Sequence, residues 1–270
     1  LPSSQGFALA RTADALGIAA GTALGTSLAA LFGADQLRWV YGIDISCMVL
    51  LLVLVGWLPR HSAMPNASEA PSTGPAAPRS WLRPLLPLLM LSLLGTGLIN
   101  LQQSALPLDL ANGGLARAGL PEVGGGLLMG VQLVLILLLQ WPVGHRLGQQ
   151  PVGVGLRLSL RSFAAACGLM ALSALHPQGV VLLLAAQPLL ALAITAFLPT
   201  ITEAVIEAVE PAHQGLALGL YSQAWAISGI SLPPIAGWML QSEQHGLGLW
   251  LLMGGFSLLA LPLTPHRLSH

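Results

Sequence analysis

Lysine is absent from the 270 residues, and the ten arginines are balanced by ten acids. Charged residues make up only 7% of the chain, against about a quarter in an ordinary soluble domain. That shortage excludes a soluble globular domain, and the zero net charge excludes a basic surface for nucleic acid. Cysteine is almost missing too. Cys47 and Cys167 both fall in apolar runs, so neither a disulfide framework nor a cysteine metal site is expected. The histidines lie in loops or tails without a His-Glu-x-x-His spacing on any helix, so no metal and no cofactor is expected. The sequence starts at Leu1 without a methionine or a basic signal-peptide region, which leads us to expect a piece of a longer protein.

What fills the chain instead is apolar: 54% of residues, with a mean hydropathy of +0.76. A helix crossing the hydrocarbon needs about 20 mostly apolar residues. Eight segments meet that, at 10–32, 39–58, 84–106, 121–143, 154–174, 178–201, 214–240 and 246–264. Runs such as VQLVLILLL do not alternate as barrel strands would, so helices are expected throughout. With eight spans both termini share one side. Loops on that side carry Arg11, Arg60, Arg79, Arg83, Arg146, Arg157, Arg161 and Arg267, and the opposite loops carry Arg38 and Arg117. The positive-inside rule then makes the Arg-rich side, with both termini, cytoplasmic.

The segment RHSAMPNASEAPSTGPAAPRSWLR is polar and broken by four prolines, as a linker between two membrane bundles would be. It divides the chain into 1–58, a linker at 59–83, and a six-helix bundle at 84–270. Polar residues inside the spans are unevenly shared. Thr96, Asn100, Gln103 and Ser104 fall on one face of 84–106. Gln132 lies in 121–143, Gln187 and Thr195 in 178–201, and Tyr221, Ser222, Gln223, Ser228 and Ser231 in 214–240. The span 178–201 is expected to break at Pro199. Spans 154–174 and 246–264 are nearly free of polar residues, apart from Arg157 and Arg161, which are four apart and can snorkel to the headgroups.

One pattern occurs twice. PSSQGFAL (2–9) aligns with PAHQGLAL (211–218), sharing Pro, Gln, Gly, Ala and Leu. Further on, GIAAGTALGTSL (17–28) lies over GISLPPIAGWML (229–240), matching Gly17 with Gly229 and Gly25 with Gly237. Gly17, Gly21 and Gly25 form a small-residue ridge that admits a close helix, whereas Pro233 and Pro234 interrupt helical hydrogen bonding. Two related helices running in the same sense suggest a protein of two repeated halves.

These segments resemble those of the major facilitator superfamily. GIAAGTALGTSL is similar to the Gly-rich motif of that family's fifth helix, with Thr22 or Thr26 where proline is expected. GISLPPIAGW is similar to its counterpart in the eleventh helix and keeps the proline. PVGHRLGQQP resembles the second copy of the family's Gly-x-x-x-Asp-Arg-x-Gly loop, retaining Gly144, Arg146 and Gly148 but lacking the acid. The resemblance implies an all-α polytopic membrane protein with a two-bundle fold around a central cavity. The eight spans would be family helices five to twelve, with the N-terminal bundle incomplete. It also implies alternating-access transport of a small organic solute across the bacterial inner membrane, in the direction of efflux and coupled to protons. The lipid bilayer, the solute and protons are the expected partners, and no enzymatic activity is expected.

For the cavity we expect Asn100, Gln103, Gln132, Gln187 and Gln223, whose amides can hydrogen-bond a solute stripped of water. The alternative role for each is an interhelical hydrogen bond. Few charges in the spans disfavour a strongly charged solute, and Tyr221 and Trp225 beside neutral amides suit an amphipathic organic molecule or a sugar. Asp44 is the one acid read as lying well inside a span, and a paired or hydrated structural role is expected of it. Glu203 and Glu207 share a face and would bridge to Arg146, Arg157 or Arg161 as a cytoplasmic latch; a solvated loop is the plainer alternative. Ala212–Gly215 has a faint likeness to the histidine motif of intramembrane serine proteases, but Gly-x-Ser-Gly is missing. A membrane scaffold on the same fold would not need the inward amides.

Overall fold

The computed structural model describes Gly17, Gly21 and residues 37–57, 81–241 and 246–265, and all regular structure among them is helical. They fall in two compact units, one holding 37–57 and the other 81–265. Gly17 and Gly21 are helical, whereas Gly25 and the linker up to Ser80 lie outside the described residues. In the first unit, α1 covers Leu37–Trp57. The side chain of Asp44 on this helix lies outside the described residues.

The second unit is an antiparallel succession of α2 (Leu82–Asn112), α3 (Glu122–Leu147), α4 (Val152–Ser173), α5 (Gly179–Glu207), α6 (Gln214–Leu240) and α7 (Leu247–Leu259). Short 3₁₀ turns at Pro211–His213 and Leu261–Leu263 enter α6 and leave α7. Among the described residues, four helices are long and apolar enough to cross a membrane: α2, Gly124–Leu147 of α3, α4 and α5. The other expected spans differ for readable reasons. Helix α6 has 27 residues, but its Gln, Ser, Tyr and paired Pro dilute its hydropathy. Helix α7 has 13 residues and stops where Pro262 forces a 3₁₀ turn. In α1 the apolar stretch is Ile45–Leu54.

Three helices run further than the sequence suggests, α3 passing Pro142 to reach Leu147. α2 passes Pro107 and continues to Asn112. The break expected at Pro199 does not occur, because α5 carries Pro188 and Pro199 within one helix to Glu207. Proline removes one donor and crowds the preceding turn, and a helix packed among others tolerates this because neighbours support the freed groups.

The core lies between α4 and α5. Gly155 sits against Thr200, and Ser159 Oγ donates to the carbonyl of Ala193 at 2.9 Å. Phe163 and Phe197 meet edge to face with centroids 6.4 Å apart, a favoured aromatic geometry. α7 closes the other side of α4 where Gly254 lies against Cys167 and Ala164. α2 reaches this core through Gly95, whose missing side chain leaves room for the Phe197 ring. Only 11% of the apolar window of α3 is buried, against 56% for α2, α4 and α5, so α3 is the outermost of the four.

A Cβ at Gly95 would overlap the Phe197 ring. Gly95→Ala is therefore expected to destabilise the bundle by about 1–3 kcal/mol, the usual cost of overpacking. Gly126→Ala, where an added Cβ meets nothing within 4 Å, should be neutral. Thermal unfolding in detergent checks both, and equal melting of the two variants would contradict this packing.

Candidate functional site

Helices α2 and α6 are joined by a polar seam. Thr96 and Asn100 are one turn apart on α2, so their side chains reach the same stretch of α6. The hydroxyls of Thr96 and Ser228 lie 3.1 Å apart, and Asn100 Nδ2 donates to Ser228 Oγ at 2.7 Å. Thr96 Oγ1 also bonds the carbonyl of Ala224 at 3.3 Å and that of Ser92 at 2.7 Å. Thr96 and Ser228 are fully buried, whereas Asn100 is half-buried. Gly97 lets Leu232 in beside the seam, and Gly229 makes room for the Asn100 amide. Between helices in lipid such bonds hold the pair together where no hydrophobic force acts.

Beside this seam both helices expose polar groups. Gln103 and Ser104 on α2 and Ser222, Gln223 and Ser231 on α6 are all exposed. The three hydroxyls satisfy themselves on their own helices: Ser104 on the carbonyl of Asn100, Ser222 on Leu218 and Ser231 on Ile227, at 2.6–3.0 Å. The amides of Gln103 and Gln223 make no hydrogen bond among the described residues. They lie on opposite sides of the seam along the helix axes, Gln103 three residues after Asn100 and Gln223 five before Ser228. Trp225 is half-buried with Nε1 3.5 Å from the hydroxyl of buried Tyr221.

The expected cavity residues therefore separate into groups. Asn100 is in the seam, and Gln103 and Gln223 are on the exposed faces. Gln132 on α3 and Gln187 on α5 are buried at 3% and 0% exposure, inside the bundle rather than on those faces. Gln187 Nε2 donates to the carbonyl of Leu183 at 3.0 Å. Its Oε1, like that of buried Gln102, has no partner among the described residues. Gln102 stands next to Gln103 in sequence but about 100° round the helix. In the described part of the repeated helix, Pro233 and Pro234 lie within α6, and a Cβ at Gly237 would meet nothing within 4 Å.

The residues expected to form a latch do not all converge. Gly144 accepts the backbone bond from Gly148 that ends α3, and Arg146 projects into an exposed position there. With Gly155 opposite Thr200, Arg161 is six residues further along α4 and Glu207 seven further along α5 in the opposite direction. Their separation along the axis is about 20 Å, beyond the reach of both side chains. Exposed Glu207 makes no ion pair among the described residues; Glu203 is half-buried near the start of α4.

The strongest polar group in the bundle escaped the sequence reading. Asp109 and Arg117 are 1% and 2% exposed, and Arg117 Nη2 lies 3.2 Å from Asp109 Oδ2. Arg117 Nη2 also donates to the carbonyl of Asp109 at 3.0 Å, and Nη1 to Ser173 Oγ at 2.7 Å. Trp250 Nε1 donates to the same carboxylate at 3.3 Å. Gly246 adopts φ +81°, and its lack of a side chain lets the start of α7 come against Asp109. One ion pair thus ties the end of α2, the 113–120 loop, the end of α4 and the start of α7. The signal was present: Asp109 and Arg117 are the only charges between Arg83 and Glu122, and Gly113-Gly114 makes the turn between them.

No family model matches the chain, and neither does any curated protein or solved structure.

Removing one partner of a buried pair leaves the other charge stranded, at a cost of about 3–5 kcal/mol, whereas an apolar replacement of both costs far less. Asp109→Asn and Arg117→Gln are each expected to destabilise the bundle more than Asp109→Leu/Arg117→Met together. Equilibrium unfolding in mixed micelles measures this, and a double variant showing the sum of the single losses would contradict it.

Proposed function

We propose that the chain belongs to a secondary transporter of the major facilitator type and moves a small organic solute by alternating access. In this reading the eight spans are family helices five to twelve, with α2–α7 forming the second six-helix bundle. The Arg146 end is cytoplasmic, as are both termini of this chain, and the membrane is the bacterial inner membrane. Transport is proton-coupled efflux, with no enzymatic step and no cofactor.

The observation that carries the proposal is the polar character of the exposed faces of α2 and α6. In lipid an exposed amide is costly unless it meets water, protein or a solute. Gln103 and Gln223 are exposed amides with no bond of their own, set on either side of a hydroxyl-amide seam. A water-filled path against a second bundle gives both amides partners, and a passing solute replaces them. The amides and hydroxyls of Asn100, Gln103, Ser104, Ser222, Gln223 and Ser231 suit an amphipathic organic solute or a sugar that can exchange hydrogen bonds with them.

The test uses vesicles holding the full-length protein that carries this sequence. A panel of dyes and sugars is assayed with and without a proton gradient, beside Asn100→Ala/Gln103→Ala. Gradient-driven movement of a compound is expected in the parent, reduced about tenfold or more in the variant, as loss of one good hydrogen bond or more requires. Well-folded protein that moves nothing would replace the transporter reading with a membrane scaffold on the same helices.

A further inference from the structure

Arg161 is an exposed cation on a helix apolar enough to span the membrane. It lies nine residues past Val152, where α4 begins, which is about 13.5 Å along the axis. Its neighbours along α4 define an outward row: Arg157 and Arg161, then Ala165, Gly168 and Leu172, at helical spacing. The opposite sides of α4 are already occupied, by α5 through Gly155, Ser159 and Phe163 and by α7 through Ala164 and Cys167.

An intramembrane charge needs a counter-ion, and the bundle supplies none to Arg161. Among the described residues it forms no ion pair. From the pairing of Gly155 with Thr200, the acids of α5 both lie toward the start of α4, Glu203 about 13 Å and Glu207 about 20 Å from Arg161 along the axis. Arg157, one turn before, is half-buried, with its Nε donating to the carbonyl of Gly153 at 3.0 Å. Arg161 is thus the exposed cation of this face. Beyond Arg161 the row falls away: Ala165 is small, and a Cβ added at Gly168 would meet nothing within 4 Å. A cation at the head of an open row of small and apolar residues matches one kind of molecule, with an anionic head and a hydrocarbon tail.

We propose that the outward row of α4 is a binding site for an anionic phospholipid. The planar guanidinium of Arg161 takes the phosphate in a two-bond fork, and an acyl chain lies along Ala165, Gly168 and Leu172. Phosphatidylglycerol, with one net negative charge, is preferred over phosphatidylcholine, whose phosphate is balanced by its own choline. The proposal needs only that the bundle sits in a bilayer, and it stands or falls apart from the transport reading.

Native mass spectrometry of the full chain, released from nanodiscs with equal phosphatidylglycerol and phosphatidylcholine, tests it. Wild type is expected to retain phosphatidylglycerol over phosphatidylcholine by about tenfold, roughly the effect of one charged contact in a membrane setting. Arg161→Gln should bring the ratio close to one, Arg161→Lys should retain part of it, and Arg83→Gln, at the exposed start of α2, should leave it unchanged. Equal retention of the two lipids by wild type would overturn the proposal whatever the variants do. So would an undiminished preference in a folded Arg161→Gln.

Discussion

The carboxylate of Asp109 and the guanidinium of Arg117 sit in a bundle that offers neither of them water, so each depends on the other. Their pairing explains why one end of the second unit is built as it is. Arg117 can reach Asp109 only because Gly113, at φ +82°, turns the chain back over the end of α2. Once there, its Nη1 donates to Ser173 Oγ, and the backbone N–H of Ala116 donates to the carbonyl of Ala174. Trp250 and Gly246 bring α7 to the same carboxylate. An isolated charge in such a place would cost several kcal/mol, so the elements around the pair are held by necessity rather than by hydrophobic force. That matters in a membrane, where lipid tails solvate leucine as well as another helix does.

The same constraint sorts the remaining polar side chains. Thr96, Asn100 and Ser228 satisfy one another and so belong to the join between α2 and α6. Ser159 binds a carbonyl of α5, and Thr195 and Thr200 turn back onto their own helix. Among the described residues the exposed amides Gln103 and Gln223 have no partner and Arg161 has no counter-ion. In the two proposals, an aqueous path on the α2–α6 side and a lipid headgroup on the α4 side would give them two different surroundings. Helix α4 has its two arginines on the outward row and α6 has none, which keeps the two surfaces chemically distinct.

Much of the helical layout could be read from hydropathy alone. Long apolar stretches gave α2 to α5 within a few residues in their interiors, because in lipid a backbone has few alternatives to helix. The ends were harder to place. Pro107 and Pro199 look like stops in an isolated chain, but both are carried inside packed helices, so α2 and α5 extend to Asn112 and Glu207. That extension is what brought Asp109 into the bundle and hid the ion pair from a reading that ended the span at 106. Among the site residues, periodicity groups Thr96, Asn100, Gln103 and Ser104 on one side of α2. It could not say which part of that side meets α6 and which stays open, since this depends on where Gly97 and Gly229 allow close approach. Gln132 and Gln187 show the same limit: mid-span amides look alike in sequence whether they face a path or a neighbour.

The central claim is that the exposed amides beside the α2–α6 seam face water in the membrane. Single cysteines at Gln103 and Gln223, in a Cys47→Ser/Cys167→Ser background, can be treated in intact vesicles with a membrane-impermeant maleimide. Leu184→Cys, on the exposed apolar side of α5, serves as the lipid-facing control. The account predicts labelling at 103 and 223 but not at 184. Protection at all three positions would mean that no aqueous path runs along this face, and would contradict it.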